Sequence, residues 1–392
     1  MRQAELSTRE ALSPAVRAAA AGLLTLAAGV GIGRFLYTPV LPMMAAGAGL
    51  DPRAGGLIAA ANFAGYLLGA LLAGLSGRVG AVRWVLLGAL GVSALTTAAM
   101  ALPLGVPLWA GVRFAGGLAS AFVLVGASAL VVRRLAALGR PELAAVHFAG
   151  VGVGIGLSAL IASPLLATPD SYARVWLWGG ALSALAVVLV GWLLPREGVS
   201  LATTPPSGTR GKLGALVLAY GCLGFGYVVT ATFLVAILRE DQAGRWAETW
   251  IWLVVGVAAI PSVWLWSRLG LRYGAARVWR WAMLIEATGV ALSALAGGVL
   301  ALGLAALALG ATFMGLTALG LQEAARRTGG DGQKAMGLMT ASFGLGQMLG
   351  PALTGVLRET TGSYVWPSLI AAAVLVAGAF LVREERLKDG AP

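Results

Sequence analysis

The chain has 392 residues, of which 59% are hydrophobic and only 11% charged, where a soluble domain carries about 25% charged residues. That deficit leaves too little polar surface to coat a water-soluble globule of this size. One cysteine, Cys222, and one histidine, His147, exclude internal disulfides, a cysteine metal cluster and a multi-histidine site; no metal and no cofactor is expected.

A spanning helix needs about 20 mostly apolar residues. Twelve such stretches follow one another, over 15–44, 54–76, 83–103, 106–132, 142–167, 173–195, 212–238, 246–267, 276–298, 300–325, 333–357 and 364–382. They are rich in Ala and Leu and lack the period-two alternation of a lipid-facing barrel. The fold class read from them is all-α integral membrane, with twelve transmembrane helices. The first run is too long for a signal-peptide core, so the first span is expected to be uncleaved.

Charge sets the topology. With the N-terminus inside, 21 of the 28 basic residues fall in inner segments, 5 in outer ones, and Arg34 and Arg113 inside spans. Both termini are therefore expected in the cytoplasm. The formal net charge of +12 then reads as membrane orientation and contact with anionic lipid. Nucleic acid is not an expected partner, because the charges sit in short connections between spans.

The chain also repeats itself. Arg78-Val-Gly80-Ala-Val-Arg83 follows the second span, and Arg272-Tyr-Gly274-Ala-Ala-Arg277 follows the eighth, 194 residues later. Gly31-Ile-Gly-Arg34 in the first span matches Gly224-Phe-Gly-Tyr227 in the seventh. Gly150, Gly152 and Gly156 match Gly344, Gly346 and Gly350. Matches in constant order argue for two homologous six-helix bundles, 1–195 and 212–392, joined by a polar Pro/Gly/Ser/Thr linker at 196–211. Six-span halves of this kind hold substrate near the midplane between them and expose it to each side in turn.

With these residues in view, the chain resembles major facilitator superfamily transporters. The Arg78-x-Gly80-x-x-Arg83 turn is similar to that superfamily's loop between spans two and three, except that Gly77 stands where an aspartate is usual and Ala73 where a glycine is. Arg113-Phe-Ala-Gly-Gly117 resembles its fourth-span Arg-x-x-x-Gly motif. Gly150-x-x-x-Gly154 resembles the fifth-span antiporter motif, with Ile155 in place of its proline. Closer still, the runs 31–44, 61–70 and 224–233 resemble the bacterial YbfB/YjiJ-like branch. The resemblance implies a multi-pass protein of the bacterial inner membrane, moving a small molecule by alternating access. It also implies gating at Arg78, Gly80, Arg83, Arg272, Gly274 and Arg277, and export as the direction.

Ionisable groups inside spans cost about 2.5–3.5 kcal/mol on insertion scales and so face a cavity or a partner. Arg34 is read as an anion anchor, since guanidinium grips carboxylate with two parallel hydrogen bonds, with a structural arginine bonded to helix carbonyls as the alternative. Arg113 reads as a cavity residue or as part of a structural network. His147 and Glu286 are the candidates for proton coupling, each with the alternative of a hydrogen-bonded interior role. Tyr37, Asn62, Tyr66, Tyr227, Thr230 and Gln347 are candidate substrate contacts, with interhelical hydrogen bonding as the alternative. Glu323 is expected to pair with Arg326 or Arg327. Trp246, Trp250 and Trp252 are expected as anchors at the outer interface.

The reading is a secondary transporter for a small organic, anionic solute, proton-coupled and monomeric, rather than an enzyme. No Walker A motif and no nucleophile–base pair is present. The alternatives are an uncoupled facilitator, or a membrane sensor that kept a transporter fold.

Overall fold

The computed structural model describes residues 13–75, 82–164, 171–194, 213–240, 244–328 and 332–382. The expected linker 196–211 and the turn residues Arg78 and Gly80 lie outside these. Among the described residues every regular element is helical.

Twelve helical segments occupy the expected spans: α1 Pro14–Ala48, α2 Pro52–Leu75, α3 Val82–Ala99, α4 Gly105–Ala137, α5 Pro141–Ile161, α6 Tyr172–Leu193, α7 Gly214–Glu240, α8 Arg245–Ala259 with Ser262–Tyr273, α9 Ala275–Leu295, α10 Val299–Thr328, α11 Gly332–Thr361 and α12 Val365–Leu381. Among the described residues eight helices are long and apolar enough by themselves to cross a membrane, and the two parts of α8 count as a ninth such segment. Those parts meet at a 43° bend at Pro261, whose ring removes a helix donor.

Ser13 caps α1, accepting from the Val16 amide at 3.3 Å, and Pro14 fills the first turn, where its missing N–H is harmless. Further along, α1 widens into a π-helix over Ala27–Ile32 and breaks at Leu36 before Tyr37–Ala48. A π segment disturbs the regular carbonyl ladder and frequently marks a functional position. A second π turn, Ser128–Val132, interrupts α4.

Glycine sets the helix spacing. In the first half α1 packs on α5, where Gly150 and Gly154 lie against the carbonyls of Leu23 and Ala27. In the second half α7 packs on α11, with Gly346 against the Gly221 carbonyl. A Cβ at any of these three would overlap backbone, so close approach requires the small residue. Each half thus holds a close glycine contact between its first and fifth helices.

Between the halves, contacts gather towards the end opposite the Arg133–Arg134 and Arg326–Arg327 clusters. Gly152 and Gly156 of α5 meet Gly256 of α8, and Gly56 of α2 meets Gly355 of α11. The Thr38 hydroxyl donates to the Ala231 carbonyl at 2.5 Å, and Arg245 to the Ala162 carbonyl at 3.0 Å. Trp252 corrects an expectation. It is fully buried and its indole N–H donates to Ser158 Oγ at 2.9 Å, so it joins the halves. Trp246 and Trp250 are exposed, as anchors at a lipid interface would be. At the basic end Glu323 pairs with both Arg326 and Arg327, at 2.9 and 2.7 Å.

Candidate functional site

A cavity of about 350 Å³ lies between the halves. Leu124, Ser128 and Val132 of α4 line one side at helical spacing; Met314, Thr317 and Leu321 of α10 line another. It runs from Arg34 to Gln322, which is exposed near the basic end. Beyond Arg34 the halves close, where Phe35, Ile155, Trp252, Val255, Leu309 and Phe313 converge.

Among the described residues lining the cavity, Arg34 is the one that is charged. Its side chain follows the π segment of α1 and is 7% exposed. Its guanidinium carbon lies 4.0 Å from the centre of the Tyr66 ring and 5.0 Å from that of Phe63, within cation–π range. Nε and Nη2 are buried and have no hydrogen-bond partner in the protein. These two nitrogens share one edge of the guanidinium. The same edge of Arg239 grips both oxygens of Glu248, at 2.7 and 2.6 Å.

Arg113 is arranged differently. It donates to the carbonyls of Gly33 at 2.8 Å and Arg34 at 3.0 Å, and lies over the rings of Tyr37 and Trp176. It therefore holds the backbone of α1 behind Arg34 and is not among the cavity-lining residues. Asn62 donates to the Arg113 carbonyl at 2.8 Å, tying α2 to α4. Tyr37 donates to the Gly55 carbonyl at 2.9 Å. Asn62 and Tyr66, one turn apart, thus part company: only Tyr66 lines the cavity.

On the other half, Tyr227 lines the cavity and receives a hydrogen bond from Gln347 Nε2. Its ring lies nearly parallel to Phe313 and to Phe343, at 11° and 12°, with centroids 5.6 and 5.8 Å away. Gln347 is fully buried, and Thr230 is buried with no partner for its hydroxyl. Neither lines the cavity.

His147 is fully buried. Its Nε2 is 3.3 Å from Ser128 Oγ, and its Nδ1 side packs against Gly22. It stands one hydrogen bond behind the cavity wall. Glu286 is buried and hydrogen-bonded to the Thr312 hydroxyl, one residue from Phe313. Of the expected gating residues, Arg83 donates to the carbonyls of Leu194 and Gly191, the latter at 2.8 Å, and so closes the end of α6. Arg272 lies over the Tyr273 ring, and Arg277 is exposed on the first turn of α9. Gly274 joins α8 to α9 with φ of +88°, a conformation that favours glycine.

The sequence reading did not single out Phe35, Phe63, Phe313, Phe343, Ser128, Thr317 or Gln322. The aromatic residues look like ordinary lipid-compatible residues in an apolar run. The signal available was spacing: Leu124, Ser128 and Val132 form an i, i+4, i+8 stripe.

A sequence model of the family described as "Uncharacterised MFS-type transporter YbfB" matches residues 26–383. The chain belongs to this family of major facilitator transporters. It is a multi-pass membrane transporter and not an enzyme. Among solved structures it is similar to the nucleoside transporter NupG, at 17% identity and a TM-score of 0.70, covering 94% of this chain and 98% of that one. It is also similar to the human organic anion transporter MFSD10 (TETRAN), at 19% identity and 0.68, covering 94% and 100%. At such identities the likeness establishes the shared fold. Comparison with curated proteins finds no match.

Proposed function

We infer that this YbfB-family protein is a secondary active transporter that moves a small organic anion across the bacterial cytoplasmic membrane by alternating access. The observation that carries this is Arg34: buried, lining the cavity between the halves, with one two-nitrogen edge unsatisfied by the protein. A guanidinium in that setting gains most from a carboxylate, which accepts both hydrogen bonds and offsets the cost of a buried charge.

The basic end is assigned to the cytoplasm by the excess of arginine there, with both termini inside. The conformation described is then open inward and sealed outward. Export is the proposed direction, in keeping with the family resemblance, and the cavity would load from the cytoplasm. Twelve spans, two bundles at 1–195 and 212–392, and a monomer complete the proposed architecture.

Tyr66 and Tyr227 contact substrate directly. Arg113, Asn62, Tyr37 and Gln347 act as positioning residues, because each is engaged with backbone or with a lining side chain. Arg83, Arg272, Gly274 and Arg277 belong to the inner connections that rearrange when the halves rock. Proton coupling is proposed through Glu286 and His147: His147 is bonded to the lining Ser128, and Glu286 to Thr312, the sequence neighbour of the lining Phe313.

The test is flux in proteoliposomes. Carboxylate transport should fall to background in Arg34→Ala. Unaltered carboxylate flux in that variant would overturn the anchor. Flux indifferent to an imposed pH gradient would remove proton coupling.

A further inference from the structure

The cavity walls carry more than the single charge. Six aromatic side chains, Phe35, Tyr66, Phe148, Tyr227, Phe313 and Phe343, line the cavity with Arg34. Tyr66 offers its ring face to the guanidinium at 4.0 Å. Phe313, Tyr227 and Phe343 form a near-parallel row, and Phe35 meets Phe313 edge-on with centroids 5.8 Å apart. An apolar cavity needs only oily side chains, and aliphatic ones would serve. A wall of oriented rings instead adds the specific attraction between aromatic groups, about 0.5–1.5 kcal/mol per pair beyond area burial.

The polar groups narrow the choice further. Among the described residues no Asp, Glu or Lys lines the cavity, so an ammonium group meets no carboxylate from them. Among the described residues no second cation lines the cavity either, so a second anionic charge on the solute would be buried uncompensated by them. A sugar would leave most of its hydroxyls facing apolar wall at a desolvation cost. The remaining polar side chains, Ser128, Thr317 and Gln322, come from α4 and α10 beyond the aromatic row, and suit one substituent at the far end of the solute. The volume of about 350 Å³ lies at the small end of ligand pockets, which run from about 300 to 1,000 Å³.

Resting on the anion-transport reading above, we propose that the substrate is a planar aromatic monocarboxylate of one or two rings. Its carboxylate pairs with the guanidinium of Arg34, whose Nε and Nη2 the protein leaves without a partner. A carboxylate conjugated to a ring tends to lie coplanar with it, so the fork that fixes the carboxylate also fixes the plane in which the ring enters the aromatic wall. Neutral nucleoside-like solutes lack the charge that Arg34 calls for, and alicyclic acids lack the ring face that the wall rewards.

The experiment titrates the purified full-length protein, in lipid nanodiscs, with three probes of nearly equal size. They are naphthoate, its neutral counterpart naphthamide, and the saturated decalincarboxylate. Naphthoate should bind at least about tenfold more tightly than naphthamide, the worth of charge-assisted hydrogen bonds. It should bind about three- to tenfold more tightly than decalincarboxylate. Phe313→Leu and Phe343→Leu leave Arg34 intact, and should erase most of the second difference while keeping the first. If naphthoate and decalincarboxylate bind alike, the aromatic class is overturned and the anion reading stands. If naphthoate and naphthamide bind alike, both fall. Failure of all three probes to bind the wild-type protein also overturns the proposal.

Discussion

Arg34 of α1 and Tyr227 of α7 end the two matching Gly-x-Gly runs, Gly31-Ile-Gly-Arg34 and Gly224-Phe-Gly-Tyr227, and both line the same cavity between the halves. Where the halves face each other, one presents a cation and the other a stacked phenol. Each is held by a neighbour that does not itself line the cavity: Arg113 fixes the α1 carbonyls at Gly33 and Arg34, and Gln347 bonds the Tyr227 hydroxyl.

Arg113→Gln should therefore act on stability rather than on selectivity. It removes two charge-assisted hydrogen bonds to backbone, each worth about 1.5–3 kcal/mol, and leaves two buried carbonyls of α1 short of a donor. Thermal unfolding in detergent should move clearly downward. The ratio of carboxylate to amide affinity, measured on the folded fraction, should stay at its wild-type value. A collapsed ratio with unchanged thermal stability would place Arg113 in contact with substrate instead.

The fold was largely legible in the sequence, and the site only partly. The length of the apolar runs follows from what a bilayer demands of any spanning helix, so the helices can be read without coordinates. Arg34 was legible for the same reason, because a charge at that depth needs a partner. Side-chain direction was not legible. Asn62 and Tyr66 lie one turn apart, yet only Tyr66 lines the cavity while Asn62 turns to α4. Trp252 looks like an interfacial anchor beside Trp250, and only the packing of α5 on α8 buries it against Ser158. Phe313 and Phe343 were invisible because an aromatic residue suits lipid and cavity equally well.

Glu286→Gln keeps the size of the side chain and a hydrogen-bonding partner for Thr312 while removing the titrating proton. If Glu286 carries coupling protons, the variant should still exchange labelled substrate across proteoliposomes with no pH gradient. It should no longer accumulate substrate when a gradient is imposed. His147→Gln provides the parallel comparison at the Ser128 side of the cavity. Gradient-driven accumulation that survives both substitutions would exclude both groups from coupling.

The outer seal should weaken in Trp252→Phe. The change removes the 2.9 Å hydrogen bond to Ser158, worth about 0.5–1.5 kcal/mol, and keeps most of the packing. A seal between two rocking halves then opens about two- to tenfold more often. The readout uses Ile155→Cys, at a position buried beneath Trp252, in a Cys222→Ser background. Labelling by an impermeant maleimide from the outer face should quicken by that factor. An unchanged rate would mean that this hydrogen bond does not hold the halves together.

The most direct measurement is flux of naphthoate and naphthamide into proteoliposomes carrying wild-type protein or Arg34→Gln, with equal insertion and equal thermal stability verified for both. The wild-type protein should move naphthoate at least about tenfold faster than naphthamide at limiting concentration. Arg34→Gln should lose that preference by slowing naphthoate to the amide's rate. Naphthoate moved by Arg34→Gln at the wild-type rate, with the preference intact, would contradict the assignment of Arg34 as the anion anchor.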